Sequence, residues 1–169
     1  NRGPGHCTSL PFHRRPSSGR SLLQARGLPK LDALLLQRVG SFAWATCGAS
    51  SWVNTASTYG EASLLITPAR RLVLTNNIEA ARLKDEESLE AQGWELVATA
   101  WHEAAGVVGK LVPGGGVGAD GPCADAVDLS DDVAHLRSEL TPEEGTRFRK
   151  LGGLCAETIS AAAQSVRPG

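Results

Sequence analysis

Leu31-Asp32-Ala33-Leu34-Leu35-Leu36 is a nearly unbroken apolar run of strand length. A strand with one wet face alternates apolar and polar residues. A run like this one is the kind buried on both faces, which in practice means a sheet with helices packed on either side. The rest of the chain supplies such helices. Phe42-Ala43-Trp44-Ala45 reads as a short helix closed by Gly48. Ala62 to Thr67 and Leu72 to Thr75 read as two strands around the turn Pro68-Ala69-Arg70. A helix follows over about Ile78 to Glu87, then a strand over Glu95 to Trp101 with Leu96, Ala98 and Ala100 on one face. Ala104 to Val112 reads as a helix, Val117 to Ala119 as a short strand, Asp131 to Leu140 as a helix and Pro142 to Val166 as a long last helix. Leu22 to Leu28 adds a short helix at the start, ending near Gly27 and Pro29. This alternation predicts an α/β fold, a three-layer domain with a mixed sheet flanked by helices.

The chain has 169 residues, 41% hydrophobic and 21% charged, enough for a real core. A net charge of −1 supplies no global field for nucleic acid or an anionic membrane, so neither is expected as a partner. The apolar runs are far shorter than the ~20 residues a membrane helix needs. Four cysteines at 7, 47, 123 and 155 form no CxxC pair, and the expectation is reduced thiols in a cytoplasmic protein.

Residues 1–19, NRGPGHCTSLPFHRRPSSG, show neither helical nor strand periodicity and are expected to be a flexible leader. Their internal prolines argue against an amphipathic transit peptide. Methionine is absent from the whole chain, so a piece of a longer product is expected.

Four motifs bear on chemistry. Asn76 with Glu79 three residues later has the layout of a capping box, with Asn in place of Ser or Thr. Capping is the expected role of this strand tip, because no glycine-rich loop lets a phosphate approach the helix start. Gly116-Val117-Gly118-Ala119-Asp120-Gly121 matches GxGxxG by letter, but it overlaps a strand and runs into Pro122, where a dinucleotide fingerprint must open a helix. His102-Glu103 begins like HExxH, yet position 106 is glycine, and His135 has no ligand-type neighbour at helical spacing. No self-sufficient catalytic or metal site is expected from these motifs: no Gly-x-Ser-x-Gly elbow is present, although spacing leaves open a Ser/His/Asp site assembled in space, the reading of a complete small hydrolase. Thr141-Pro142-Glu143-Glu144 is the strongest local signal: Thr141 caps, Pro142 fits the first helical position and Glu144 closes the box. Beyond it Phe148, Leu151, Cys155, Ile159, Ala162 and Val166 make one apolar stripe.

Taken in order, Leu31-Asp32-Ala33-Leu34-Leu35, Ser41-Phe42-Ala43-Trp44-Ala45-Thr46-Cys47-Gly48 and Leu64-Leu65-Ile66-Thr67 resemble the N-terminal domain of the creatinase/prolidase/aminopeptidase P family. Leu74-Thr75-Asn76-Asn77-Ile78-Glu79-Ala80 is similar to the same domain in Xaa-Pro peptidase-like members. Leu136-Arg137 and Leu140-Thr141-Pro142-Glu143-Glu144 look like its exit into the helix before the catalytic domain. The likeness covers about residues 22 to 169. Cys47 stands where glycine is common, and Ser138 with Glu139 where the exit often carries a basic residue.

The resemblance implies a creatinase N-terminal-like fold with a ribonuclease H-like motif over 20–140, then a linker helix over 141–169. That helix would lead to a missing C-terminal catalytic domain, a pita-bread unit with two Asp, one His and two Glu around two divalent metals (Mn, Co or Zn). It implies a non-catalytic accessory and dimerisation domain with no cofactor of its own, in a parent that is a homodimeric Xaa-Pro peptidase or related hydrolase. Trp52 and Asn54, in the loop Ser50 to Thr55, are the candidates for contact with a partner or the mouth of its active site; an ordinary loop with Trp52 packed inward is the plain alternative. A free-standing small-molecule binding module using the strand ends near Asn76 and Gly116 is the rival reading.

Overall fold

The structure is a computed structural model that describes residues 31–103 and 106–167. The expected leader, the helix over 22–28 and the first residues of the helix expected from Ala104 lie outside them. The chain divides into two units, Asn1–Arg137 and Ser138–Gly169.

In the first unit, β1 (Ala33–Arg38) leads into helix α1 (Val39–Ala45), and β2 (Tyr59–Ile66) turns back antiparallel to β1. β3 (Arg71–Asn76), α2 (Ala80–Glu87) and β4 (Glu95–Thr99) follow. Then come the short α3 (Val107–Leu111), β5 (Val117–Ala119), β6 (Val127–Asp128) and α4 (Ser130–Ser138). The six strands form one mixed sheet in the order β4-β3-β2-β1-β5-β6. The pairings make β2 the antiparallel member and leave β1, β3, β4, β5 and β6 pointing the same way. Their carboxyl ends therefore share one edge of the sheet.

Register explains why the strands read as continuous apolar runs. Leu36 pairs with Leu64 and Leu64 with Val73, and this rung joins Phe42, Ala45, Leu83, Trp94, Leu129 and Val133 in a core under α1, α2 and α4. The next rung, Leu35, Leu65 and Leu72, faces the other way with Ala33 and Ala119, covered by Val108, Leu111 and Val112 of the α3 region. With helices on both faces, each strand buries both sets of side chains. The expected α/β three-layer mixed sheet is the observed one. Phe42 is fully buried, and truncating it to alanine would cost about 3–5 kcal/mol.

Several boundaries differ from the sequence reading. β2 begins three residues earlier than expected, because Glu61 N donates to Ser51 O (2.7 Å) and Arg38 pairs with Tyr59, extending the ladder past the apolar core. β4 stops at Thr99, where the chain tightens into a single turn over Trp101–Glu103. As an edge strand it contributes Leu96 to one core and Val97 to the other, and Ala98 is exposed, so the expected one-face alternation does not hold. β6, two residues long, carries no periodicity to read. Cys123 and Cys155 are free thiols, but Cys47 is disulfide-bonded, so the expectation of four reduced thiols fails there.

The second unit is helix α5 (Pro142–Ser165), 24 residues without a break at Gly152-Gly153. Thr141 Oγ1 accepts from Glu144 N (3.2 Å) and Glu144 returns a carboxylate oxygen to Thr141 N (2.8 Å), a complete capping box. Phe148, Leu151, Ile159 and Val166 of the stripe are exposed, and so is Leu154. No described helix is long and apolar enough to cross a membrane.

Candidate functional site

The chain leaves β1 through an irregularity between Leu36 and Arg38, and the residue that shapes it is distant in sequence. Asp120, wholly buried just past β5, accepts Gln37 N (2.6 Å) and Arg38 N (3.3 Å) on its Oδ1. Its carbonyl accepts Arg38 Nε (2.7 Å) and Ser130 Oγ (3.2 Å). Asp120 thus ties together the carboxyl ends of the adjacent parallel strands β1 and β5 through its carboxylate and carbonyl, and the start of α4 through its carbonyl. Its second oxygen, and Gln37 Oε1, are buried without a partner among the described residues. Arg38 in turn lies over the Tyr59 ring, 5.8 Å from its centre.

The loop after α1 is pinned at both ends. Cys47 and Gly48 take left-handed backbone (φ 58° and 110°), turning the chain back toward the sheet. Ser50 O accepts from the Arg82 guanidinium (3.3 Å), and Ser51 is buried against β2. A side chain at Gly60 would collide with Ser51 Oγ, so that glycine is what lets the loop lie down on the strand. Trp52 emerges 44% exposed and, with Val39, Gly40, Thr55 and Ser57, lines an open hollow of about 220 Å³. It is not packed inward as a core residue. Asn54 is exposed, and its Oδ1 accepts Ala56 N (2.9 Å), stabilising the loop's own turn.

At the ends of β3 and β4 each polar side chain has a local task. Thr75 Oγ1 donates to Glu61 O (3.0 Å) across the ladder. Asn76 Oδ1 accepts Ile78 N and Glu79 N (both 2.9 Å), satisfying the free amides of the first turn before α2. Glu79 does not return to Asn76 N among these contacts; it pairs with Arg82 Nε at 2.7 Å, and Arg82 also reaches Glu87 at 3.6 Å. Asn77 Oδ1 accepts Trp101 N (3.0 Å), which fixes the exposed Trp101 beside the strand tip. Gly116 lies at the opposite edge: its carbonyl accepts Asp32 N and Ala33 N, and its amide donates to Asp32 Oδ2 (2.9 Å). Asn76 and Gly116 therefore do not belong to one crevice.

Asp128, at the end of β6, is held below the usual carboxylate range, first by hydrogen bonding from Ser130, whose amide lies 2.9 Å from its Oδ1. Among the described residues no three His, Cys, Asp or Glu side chains gather where they could hold a metal ion. His102 faces its neighbour Glu103 at 3.8 Å, both well exposed. The two metals that the family resemblance implies for a catalytic domain find no such cluster among the residues described here.

No protein-family model matches the chain, and no curated protein matches it by sequence. Solved structures do. Over 89% of its length the chain matches the Xaa-Pro dipeptidase from Bacillus anthracis, with a TM-score of 0.60 at 18% identity. It spans 42% of that dipeptidase. An aminopeptidase P from Streptococcus thermophilus matches 77% of the chain, which spans 88% of it, with a TM-score of 0.41 at 20% identity. An Xaa-Pro aminopeptidase from Streptococcus pyogenes matches 73% and is spanned to 82%, with a TM-score of 0.40 at 17% identity. The first of these shows that the fold is shared with a protein more than twice the length of the matched part.

Proposed function

We propose that this chain is the non-catalytic N-terminal accessory and dimerisation domain of a longer Xaa-Pro metallopeptidase of the creatinase/prolidase kind, with α5 as the connector to its catalytic domain. The observation that carries this reading is the fold it shares with a dipeptidase of which it spans 42%. The disposition of its polar groups agrees. Thr75, Asn76 and Asn77, at the strand tips where an α/β enzyme would place its chemistry, are engaged in the ladder, the turn that leads into α2 and the link to Trp101. The exposed stripe of α5 is an apolar surface of the sort that further protein covers. Trp52, set half-exposed on a loop anchored at Ser50 and Ser51, is the residue we assign to narrowing the mouth of a partner's active site.

The rival reading, a free-standing small-molecule binding module, draws no support from the same groups. The acceptors it needs at Asn76 and Gly116 are bonded within the fold and lie on opposite edges of the sheet. The experiment that tests the accessory reading is metal analysis of the dialysed chain together with an Xaa-Pro dipeptide assay in added Mn, Co or Zn. The accessory reading expects no bound metal and no turnover; stoichiometric metal with turnover overturns it.

A further inference from the structure

Among the described residues Arg137, in the last turn of α4, meets no carboxylate. It is half-buried, and its hydrogen bond goes to a neutral group, the wholly buried Ser41 hydroxyl, 3.2 Å from Nη1. Other arginines of the first unit are better served. Arg70 pairs with Glu95, and Arg82 with Glu79 and Glu87. Arg38 is held by the Asp120 carbonyl and the Tyr59 ring. A partly buried charge without a counter-ion is costly, and the negative end of α4 offsets only part of that cost.

The Arg137 guanidinium lies against Gly40, at the start of α1. A Cβ at that position would stand 2.6 Å from Nη2 and 3.3 Å from Cζ and Nη1, so any larger residue would push the cation aside. Gly40 is also one wall of the open hollow of about 220 Å³ that Val39, Trp52, Thr55 and Ser57 complete. An unpaired cation thus stands one glycine away from a hollow with an aromatic wall.

We infer that this hollow binds a small carboxylate with an apolar body about one ring in size, its anion taken by Arg137 and its body laid on Trp52. Three features set that chemistry. No acidic side chain lines the hollow, so the local charge selects an anion. The flat guanidinium fork matches a carboxylate, to which it can give two parallel N–H···O bonds. Trp52 and Val39 favour an apolar group over a bare ion such as phosphate, and the volume lies below the roughly 300–1,000 Å³ of drug-sized sites. The site is separate from Asn76 and Gly116, uses no metal and does not depend on the accessory reading.

The test uses the full 169-residue chain and benzoate, followed by nitrogen–proton NMR at the Gly40 amide and the Trp52 indole. Both signals should saturate with a dissociation constant on the order of 1 mM, an affinity within reach of a ligand of about nine heavy atoms. Benzamide keeps the ring without the charge, and acetate the charge without the ring; each should bind about tenfold more weakly or worse. Arg137→Gln should weaken benzoate about tenfold and erase its advantage over benzamide, a readout that mere loss of structure would not give. Trp52→Ala, at an exposed position, should weaken benzoate about threefold or more. Circular dichroism verifies that both variants remain folded. Equal binding of benzoate and benzamide, benzoate binding untouched in Arg137→Gln, or no saturable shift up to about 20 mM overturns the assignment.

Discussion

Replacing Asp120 tests how the distant carboxylate shapes the site. In the Asp120→Ala protein, Gln37 N and Arg38 N lose an acceptor that lies 2.6 and 3.3 Å away in a wholly buried position. A hydrogen bond to a charged group contributes about 1.5–3 kcal/mol, and an orphaned buried donor costs about 1–3 kcal/mol. The Gln37 bond is short and the Arg38 bond marginal, so we expect a loss of about 3–4 kcal/mol, the first contributing most. The isosteric Asp120→Asn keeps an oxygen for Gln37 but puts an NH2 donor where the second oxygen is buried without a partner, and should lose about half as much. Urea unfolding at neutral pH, followed by fluorescence of the buried Trp94, gives the midpoint and slope for each variant. The slope should stay constant. A loss under about 1 kcal/mol for Asp120→Ala would refute the reasoning, since the irregularity in β1 would then stand without the carboxylate.

Three further outcomes follow from individual contacts. Thr141→Ala opens the capping box of α5 and should cost that helix about 1 kcal/mol, read as faster amide exchange at Glu144 and Gly145. Gly60→Ala forces Ser51 off β2; it should destabilise the fold by about 1–3 kcal/mol and alter quenching of Trp52, checked by melting and iodide quenching. The Glu95 carboxyl lies below its ordinary range, chiefly through its hydrogen bond from Arg70. Its folded value is depressed, so the small stabilisation it gives is complete above the ordinary carboxylate range and fades as pH falls through the lowered value. A carbon-detected NMR titration should show that low midpoint return toward normal in Arg70→Gln.

The layers were legible because burial on both faces leaves a mark in composition. Leu31 to Leu36 has no alternation, and the rungs Leu36–Leu64–Val73 and Leu35–Leu65–Leu72 explain why none was needed. The Thr141 box was legible because its contacts close within four residues. At Asn76 the acceptor role was readable in the same way, but the return from Glu79 was not, because Arg82 competes for that carboxylate. The features that fail to show in sequence are long-range. Asp120 sat inside a GxGxxG look-alike, and its partners at 37 and 38 lie more than eighty residues away. The only local hint was a carboxylate directly after a short strand. The hollow was equally hidden: Trp52 was singled out, but Gly40 and, through it, Arg137 join it only once the chain has folded. Sequence spacing carries no information on which loops and helix ends are neighbours.

The most direct measurement of the central claim is the mass of the native polypeptide that carries this domain, captured from the cells that make it with an antibody raised against the first unit, then analysed for metal and Xaa-Pro hydrolysis. The accessory-domain account predicts a much longer chain whose C-terminal part supplies two Asp, one His and two Glu, holds two divalent metals and accounts for all of the activity. A native product no larger than this chain, whether inert or active by itself, would contradict it.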